Sequence, residues 1–197
     1  DFPNYENKDS SEFARAYLNG DYGPAQQIDA KHASLFYAFD RFCSSKEMNS
    51  LLDSGKILIL NRYVSSNAGH QGGKIRDPKE RQKFLDWLYN LEYNLFGIPK
   101  PSLQIYLHIP AEIAQGLVDK KSTREYIGGK KRDIHEEDKE HLKHAEESYN
   151  YLIENESGWE KVECMQGNDL LSIQEIHNKI ISLKSIEEIV KEFSNFS

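Results

Sequence analysis

Residues 11 to 19 (SEFARAYLN) carry apolar side chains at helical spacing and stop at Gly20, before the turn-forming DYGP. A longer helix is predicted from Asp29, as N-cap, to about Leu52. Its apolar positions (Ala33, Phe36, Tyr37, Phe39, Phe42, Leu51, Leu52) cover much of the circumference, which implies burial on more than one side and a face for a partner subunit. Lys56 to Leu60 is a continuous aliphatic run after Gly55, the pattern of a strand buried on both faces of a parallel sheet. Asp77-Pro78 opens a helix that runs through Phe84, Leu85, Leu88, Leu91, Tyr93 and Leu95 and ends at Gly97. Leu103 to Ile109 reads as a second strand closed by Pro110, followed by a helix over AEIAQGLVDK. Trp159 to Cys164 reads as a third strand, and Ser172 to Phe193 as one or two terminal helices. Strands separated by helices, with no hairpin signal between them, predict an α/β fold: a central parallel sheet covered on both faces, in a single domain.

In such sheets ligands bind at the C-terminal ends of the strands. The first aliphatic run ends there, in NRYVSSNAGHQGG. Arg62 follows the run directly, and a guanidinium in that crevice suits a phosphate held at two points. Taken alone, a structural Arg paired with a helix carboxylate is an equally good reading. The company of Ser65, Ser66, Asn67, His70 and Gln71 favours a ligand, because these residue types read a base edge or a sugar hydroxyl. In SLFYAFDR, Tyr37 and Arg41 lie four apart on one helix face, suited to a ligand with a flat ring and an anion. For such an isolated pair, a core aromatic beside a solvated Arg is the better default.

The chain has 197 residues with 32 acidic and 25 basic side chains, a net charge of −7. That balance argues against a nucleic-acid partner. Within it, residues 120 to 132 (KKSTREYIGGKKR) hold six basic side chains against Glu125 alone. A basic flap closing over phosphates is one reading and a solvated loop the other. Cys43 and Cys164 lie far apart, which fits a reduced, cytosolic compartment, and no apolar run is long enough to cross a membrane. In HEEDKEH, His135 and His141 are roughly 240° apart on a helix and cannot share an ion. His141 and His144, set among carboxylates and lysines, read as surface residues.

Taken in order, these motifs resemble the thymidylate kinases, P-loop nucleotide kinases that transfer a phosphate from ATP to dTMP. Phe2-Pro3 is similar to the family's Phe-Pro, Asn61-Arg62-Tyr63 to its Asp-Arg-Tyr, and Ser65 to Gly72 to its Ser-Ser-x-Ala-Tyr-Gln-Gly loop. Pro99-Lys100-Pro101 with Leu103 resembles Pro-x-Pro-Asp-Leu, and Asp133 to Glu136 resembles the Asp-x-Tyr-Glu after the lid. The resemblance implies that Tyr37 stacks on thymine, with Phe36 the alternative if the register slips by one. It implies that Arg41 bonds the pyrimidine edge, Arg62 the monophosphate, and Asn67 and Gln71 the base, with Ser66 beside them. His70 would stand where a Tyr usually guards the sugar, while Phe2 and Tyr5 would lie near sugar and phosphate. Arg124 and Arg132 would be lid cations within a segment at about 120 to 135, and Gln166 and Asn168 would touch the adenine. Further implications are ATP, Mg2+ and a homodimer.

Departures from the pattern are informative. Asn61 replaces the usual Asp, and Asn4 stands where many members carry Arg. Gly72-Gly73-Lys74 lacks the spacing and hydroxyl of a phosphate loop, and no GxxxxGK[ST] occurs. The chain opens on Asp1, so the expectation is a longer gene product in which a phosphate loop and a first strand precede Phe2. The alternatives to a dTMP kinase are a nucleotide-binding pseudo-enzyme, a deoxynucleoside kinase and a plain interaction domain.

Overall fold

A computed structural model describes residues 1–118 and 139–194. Helix α1 (Lys8–Asn19) is capped by Asn7, whose side chain accepts from the Ser10 amide, and ends at Gly20 in the left-handed conformation (φ 85°). Helix α2 (Ala30–Asp53) begins at Asp29, whose carboxylate accepts from the Lys31 amide at 2.8 Å, and packs along α1. Both starts are sites where a short polar side chain satisfies an otherwise orphaned amide.

The segment predicted as a loop of Ser, Asn and His is instead a short helix, α3 (Val64–His70), continued by a 3-10 turn over Gly72–Lys74. Helix α4 (Pro78–Tyr89) starts with Pro78 at its first turn behind the Asp77 cap. It passes into a π-helical turn, Asn90–Leu95, before Gly97 ends it at φ 64°. A π turn shifts side-chain directions by a register, and here it carries Glu92 into the core with no exposure.

Strand β1 (Gln104–His108) and β2 (Trp159–Glu163) pair in parallel, joined through α5 (Ala111–Val118) and α6 (Lys139–Asn155). At the end of β1, His108 stands between two carboxylates: Nε2 is 2.8 Å from Glu146 on α6 and Nδ1 is 2.5 Å from Glu163 on β2. Glu146 also accepts from the Ala111 amide at 3.0 Å, which ties the start of α5 to α6. Strands β3 (Met165–Gln166) and β4 (Asp169–Leu170) form a small antiparallel hairpin, followed by α7 (Ile173–Ile181) behind a Ser172/Glu175 capping box and by α8 (Lys184–Ser194).

The architecture is α/β, mostly helical, and two expectations are corrected. Lys56 to Leu60 forms no ladder among the described residues and is not buried on both faces; Ile57 is 48% and Ile59 94% exposed. Leu58 and Leu60 do pack on the core, so the alternation of a strand survives without its pairing. A strand needs a neighbour, and here the Lys56 amide turns back to the Leu51 carbonyl while the Phe2 amide reaches the Asn61 carbonyl just past the far end, both at 3.1 Å. The β3–β4 hairpin was also not foreseen, although Gly167-Asn168 between its arms, with Gly167 at φ 60°, is a two-residue turn signal. The core beneath α3 gathers Phe2, Met48, Tyr63, Val64, Ala68, Phe84, Leu85, Leu88 and Leu152.

Candidate functional site

Helix α3 organises the site. Tyr63 precedes it, buried against the Phe2 ring at 5.9 Å and donating its hydroxyl to the Pro99 carbonyl at 2.8 Å. Burial raises the Tyr63 phenol above its ordinary pKa. Its neighbour Arg62 is exposed and adopts φ 60°, a backbone rarely taken by a residue with a Cβ. That turn sends the chain from Asn61 into the helix and leaves the guanidinium at the rim, with Nη1 3.5 Å from His70 Nε2.

Beneath the rim lies a buried polar floor. Arg41, on α2, donates from Nε and Nη2 to the two carboxylate oxygens of Glu92, each at 2.6 Å. The Asn67 amide donates to the Ser34 carbonyl at 3.0 Å and to Glu92 at 3.2 Å, so α2, α3 and the π turn share one network. Arg41 is 2% exposed. The solvated Arg considered for this position is therefore corrected: the guanidinium is a buried member of an ion pair, and two of its N–H groups are committed to Glu92. Gln71 is also buried, and its side-chain oxygen has no hydrogen-bond partner among the described residues, an acceptor that a ligand N–H would satisfy.

On the wall formed by α1 and α2, Phe36 lies within a cluster of Phe13, Tyr17 and Tyr22. Tyr37 sits edge-on to Tyr17, with ring centroids 6.0 Å apart. The Lys74 ammonium donates to the Tyr17 hydroxyl at 3.0 Å and to the carbonyls of Ala25 and Ile28 at 2.9 and 3.1 Å, pinning the turn between α1 and α2. Burial lowers its pKa to about 8, with Asp29 pulling the other way. At the N-terminus the Asn4 amide donates to Asp40 on α2 at 2.7 Å, and Ser10 donates to the same carboxylate. Arg15 stands 5.0 Å from the centre of the Tyr5 ring and donates to the Tyr5 carbonyl.

The far wall comes from α6. His141 is buried and stacks on His70, with centroids 5.6 Å apart and planes 11° from parallel, which corrects its reading as a surface residue. Its described charged neighbours, Glu140 and Lys143, are exposed. Burial, then the charges of Arg62, His141 and Lys74, hold His70 well below the ordinary imidazole pKa. Arg124, Arg132 and the rest of the predicted 120 to 135 lid lie outside the described residues. Gln166 and Asn168 are exposed on the β3–β4 hairpin, and Gln166 lines a groove of about 560 Å³ with Met165, Leu171, Glu175 and Lys179.

Arg62, Ser66, Asn67, His70 and Gln71 are thus gathered by one helical segment, and Arg41 joins them through Glu92. Sequence reasoning missed Glu92 and Asp40. A lone acid inside the apolar run NLEYNL was the available signal for Glu92, and the DR dipeptide beside Tyr37 that for Asp40.

Residues 5–180 match the thymidylate kinase family model. The chain belongs to the thymidylate kinase family. It is 30% identical over 139 residues to the thymidylate kinase of Mycobacterium tuberculosis, covering 71% of this chain and 63% of that protein. It is 28% identical over 149 residues to a probable thymidylate kinase of Methanosphaera stadtmanae, covering 75% and 65%. The chain therefore spans somewhat less than two thirds of the curated relatives it matches. Membership implies the α/β fold of P-loop kinases, and no helix among the described residues is long and apolar enough to cross a membrane.

Proposed function

We propose that this chain carries the acceptor side of an ATP-dependent dTMP kinase, within a sheet-centred sandwich covered by helices on both faces. One observation carries the reading: an exposed guanidinium, Arg62, stands at the rim of a floor in which the Gln71 acceptor is buried without a hydrogen-bond partner among the described residues. A pyrimidine ring against Tyr37 would bring its N–H to that floor and its anionic tail to Arg62. Phosphoryl transfer asks a protein mainly to align two phosphates and to absorb charge. Arg62 would grip the acceptor phosphate, and Arg124 and Arg132 would supply the moving phosphoryl group with cations. His70, kept neutral by its surroundings, would face the sugar without adding charge. Tyr5 and Phe2 would border the sugar and phosphate, Asn67 and Arg41 would hold the base-reading floor, and Gln166 with Asn168 would touch adenine.

Magnesium in such reactions is held largely by nucleotide phosphates and water, with few protein ligands. Among the described residues no group of three His, Cys, Asp or Glu side chains is arranged to hold a metal ion. Leu35, Phe39 and Phe42 leave an apolar strip along α2, which supports a homodimer through that helix. Calorimetry on the intact protein tests the assignment: dTMP should bind well ahead of dUMP, dCMP and thymidine, and ADP should appear only when ATP and dTMP are both present. Equal turnover of thymidine would sink it in favour of a nucleoside kinase.

Asn61 favours a second reading, a pseudo-enzyme that binds the nucleotide and does not turn it over. Its exposed amide cannot act as the carboxylate usual at that position. Tight dTMP binding with no ADP release would select it.

A further inference from the structure

Lys74 joins two parts of the site that no motif connects. Its backbone is fixed from one side. The turn Gly72–Lys74 lies so close to α6 that a Cβ on Gly73 would stand 2.7 Å from the His144 carbonyl oxygen, and one on Gly72 would stand 3.0 Å from Ser148 Oγ. The Lys74 amide donates to the Gln71 carbonyl at 3.1 Å, so the same turn carries the buried Gln71 acceptor. From this base the side chain crosses to α1 and to the entry of α2. There the ammonium has three acceptors for its three protons: the Tyr17 hydroxyl and the Ala25 and Ile28 carbonyls, at 2.9 to 3.1 Å. Tyr17 is fully buried, and its ring is set against Phe36 at 5.6 Å and edge-on to Tyr37 at 6.0 Å.

From this geometry we infer that Lys74 is a positioning residue for the base: its ammonium fixes Tyr17 and the entry to α2, and through them the Tyr37 ring relative to the Gln71 turn. The inference rests on the reading in which a pyrimidine lies on Tyr37, and it adds the residue that sets that stack. With every ammonium proton placed on a protein oxygen, none is left for a ligand phosphate, so Lys74 acts on the protein and not on the substrate. The residue type follows from the acceptors. A half-buried cation costs desolvation, which hydrogen bonds offset only when its donors are satisfied. Contacts between ring edges and faces tolerate a range of angles, whereas hydrogen bonds weaken steeply when bent. An ammonium tied to the Tyr17 hydroxyl therefore narrows where that ring lies, and a ring so held narrows where its Tyr37 neighbour can settle.

The test is dTMP calorimetry on the intact protein, with steady-state kinetics beside it. Lys74→Met keeps an unbranched stem and removes the three donors. It should raise the dTMP dissociation constant about fivefold, part of the stacking contribution of one base, with KM following and kcat within about twofold. In a Tyr37→Ala background the same substitution should add less than about twofold, because the stack it adjusts is gone. Loss of fold alone would weaken binding in both backgrounds alike. Tyr17→Phe removes only the hydroxyl and replaces Lys74→Met in the cycle if that variant fails to fold. It should weaken dTMP binding about threefold, the scale of one hydrogen bond, and have no further effect beside Tyr37→Ala. Unchanged dTMP binding in these variants, or effects that multiply with that of Tyr37→Ala, would overturn the inference and leave the dTMP reading standing. Failure of the unaltered protein to bind dTMP would overturn both.

Discussion

Two arginines flank the same helix and live in opposite circumstances. Arg41 is buried, with two N–H groups on one carboxylate and a third residue, Asn67, closing the network. Arg62, beyond the helix start, is exposed, stands in left-handed backbone and has His70 as a neighbour at 3.5 Å. The buried pair has its charge already answered, so it holds shape. The exposed one keeps its charge for whatever enters. On the proposed reading, floor and rim divide the labour between stability and binding.

Substitutions on the two sides should therefore separate cleanly. The largest effect is expected for Glu92→Ala, which leaves Arg41 buried without a counter-charge and should cost about 3 to 5 kcal/mol of unfolding free energy. Urea melts measure it, and a loss below about 1 kcal/mol would mean that the floor is not a closed network. Arg62→Ala should do the reverse. It should weaken dTMP binding by about 1.5 to 3 kcal/mol, the value of hydrogen bonds to a charged group. Thermal stability should hold, because Arg62 is exposed and alanine keeps the same Cβ in the left-handed backbone. A large drop in melting temperature with intact binding would erase the distinction.

The aromatic wall gives an intermediate case. Tyr37→Ala should weaken dTMP binding by about 1 to 3 kcal/mol, the scale of base stacking. Phe36→Ala, inside the Phe13–Tyr17–Tyr22 cluster, should chiefly lower stability; if binding follows Phe36 instead, the register of the stack is one residue earlier.

The smallest effect is a pH slope. His70 has a depressed pKa in the folded state, so it stays neutral while the unfolded chain takes up a proton near pH 6.5. Its contribution is complete above that pH and is lost as acid is added, at up to about 1.4 kcal/mol per pH unit. Lys74 has the same sign in another window: between about 8 and its ordinary 10.5 the unfolded state holds more protons, so stability climbs with pH there. His70→Phe should flatten the acid limb and Lys74→Met the alkaline one in pH-resolved melts.

Most helices were legible because their ends are written locally. Asp29, Asp77 and Ser172 cap them, and Gly20 and Gly97 stop them, without help from distant residues, whereas the first helix, expected from residue 11, starts at Lys8 behind Asn7. The places of β1 and β2 were legible for a related reason: β1 lies in a short apolar run closed by Pro110, and β2 follows directly on Gly158. What stayed hidden depends on partners far along the chain. Lys56 to Leu60 has a strand's composition, but pairing is decided by a neighbour that no local pattern names. His141 has polar neighbours in sequence and a buried ring in space, because α6 turns that face toward His70. In the site, residue types suggested Arg62, Asn67 and Gln71. Only coordinates joined Glu92 to Arg41, 51 positions away, or Ser148 to the Ala68 carbonyl, 80 positions away.

The uncovered isoleucines at 57 and 59 have a practical side for anyone handling this polypeptide. An aliphatic side chain 94% open to water, beside main-chain groups with no ladder among the described residues, is a template onto which another chain can zip. Concentrated samples should lose monodispersity through this flank, and a lysine at position 59 would be the first remedy to try.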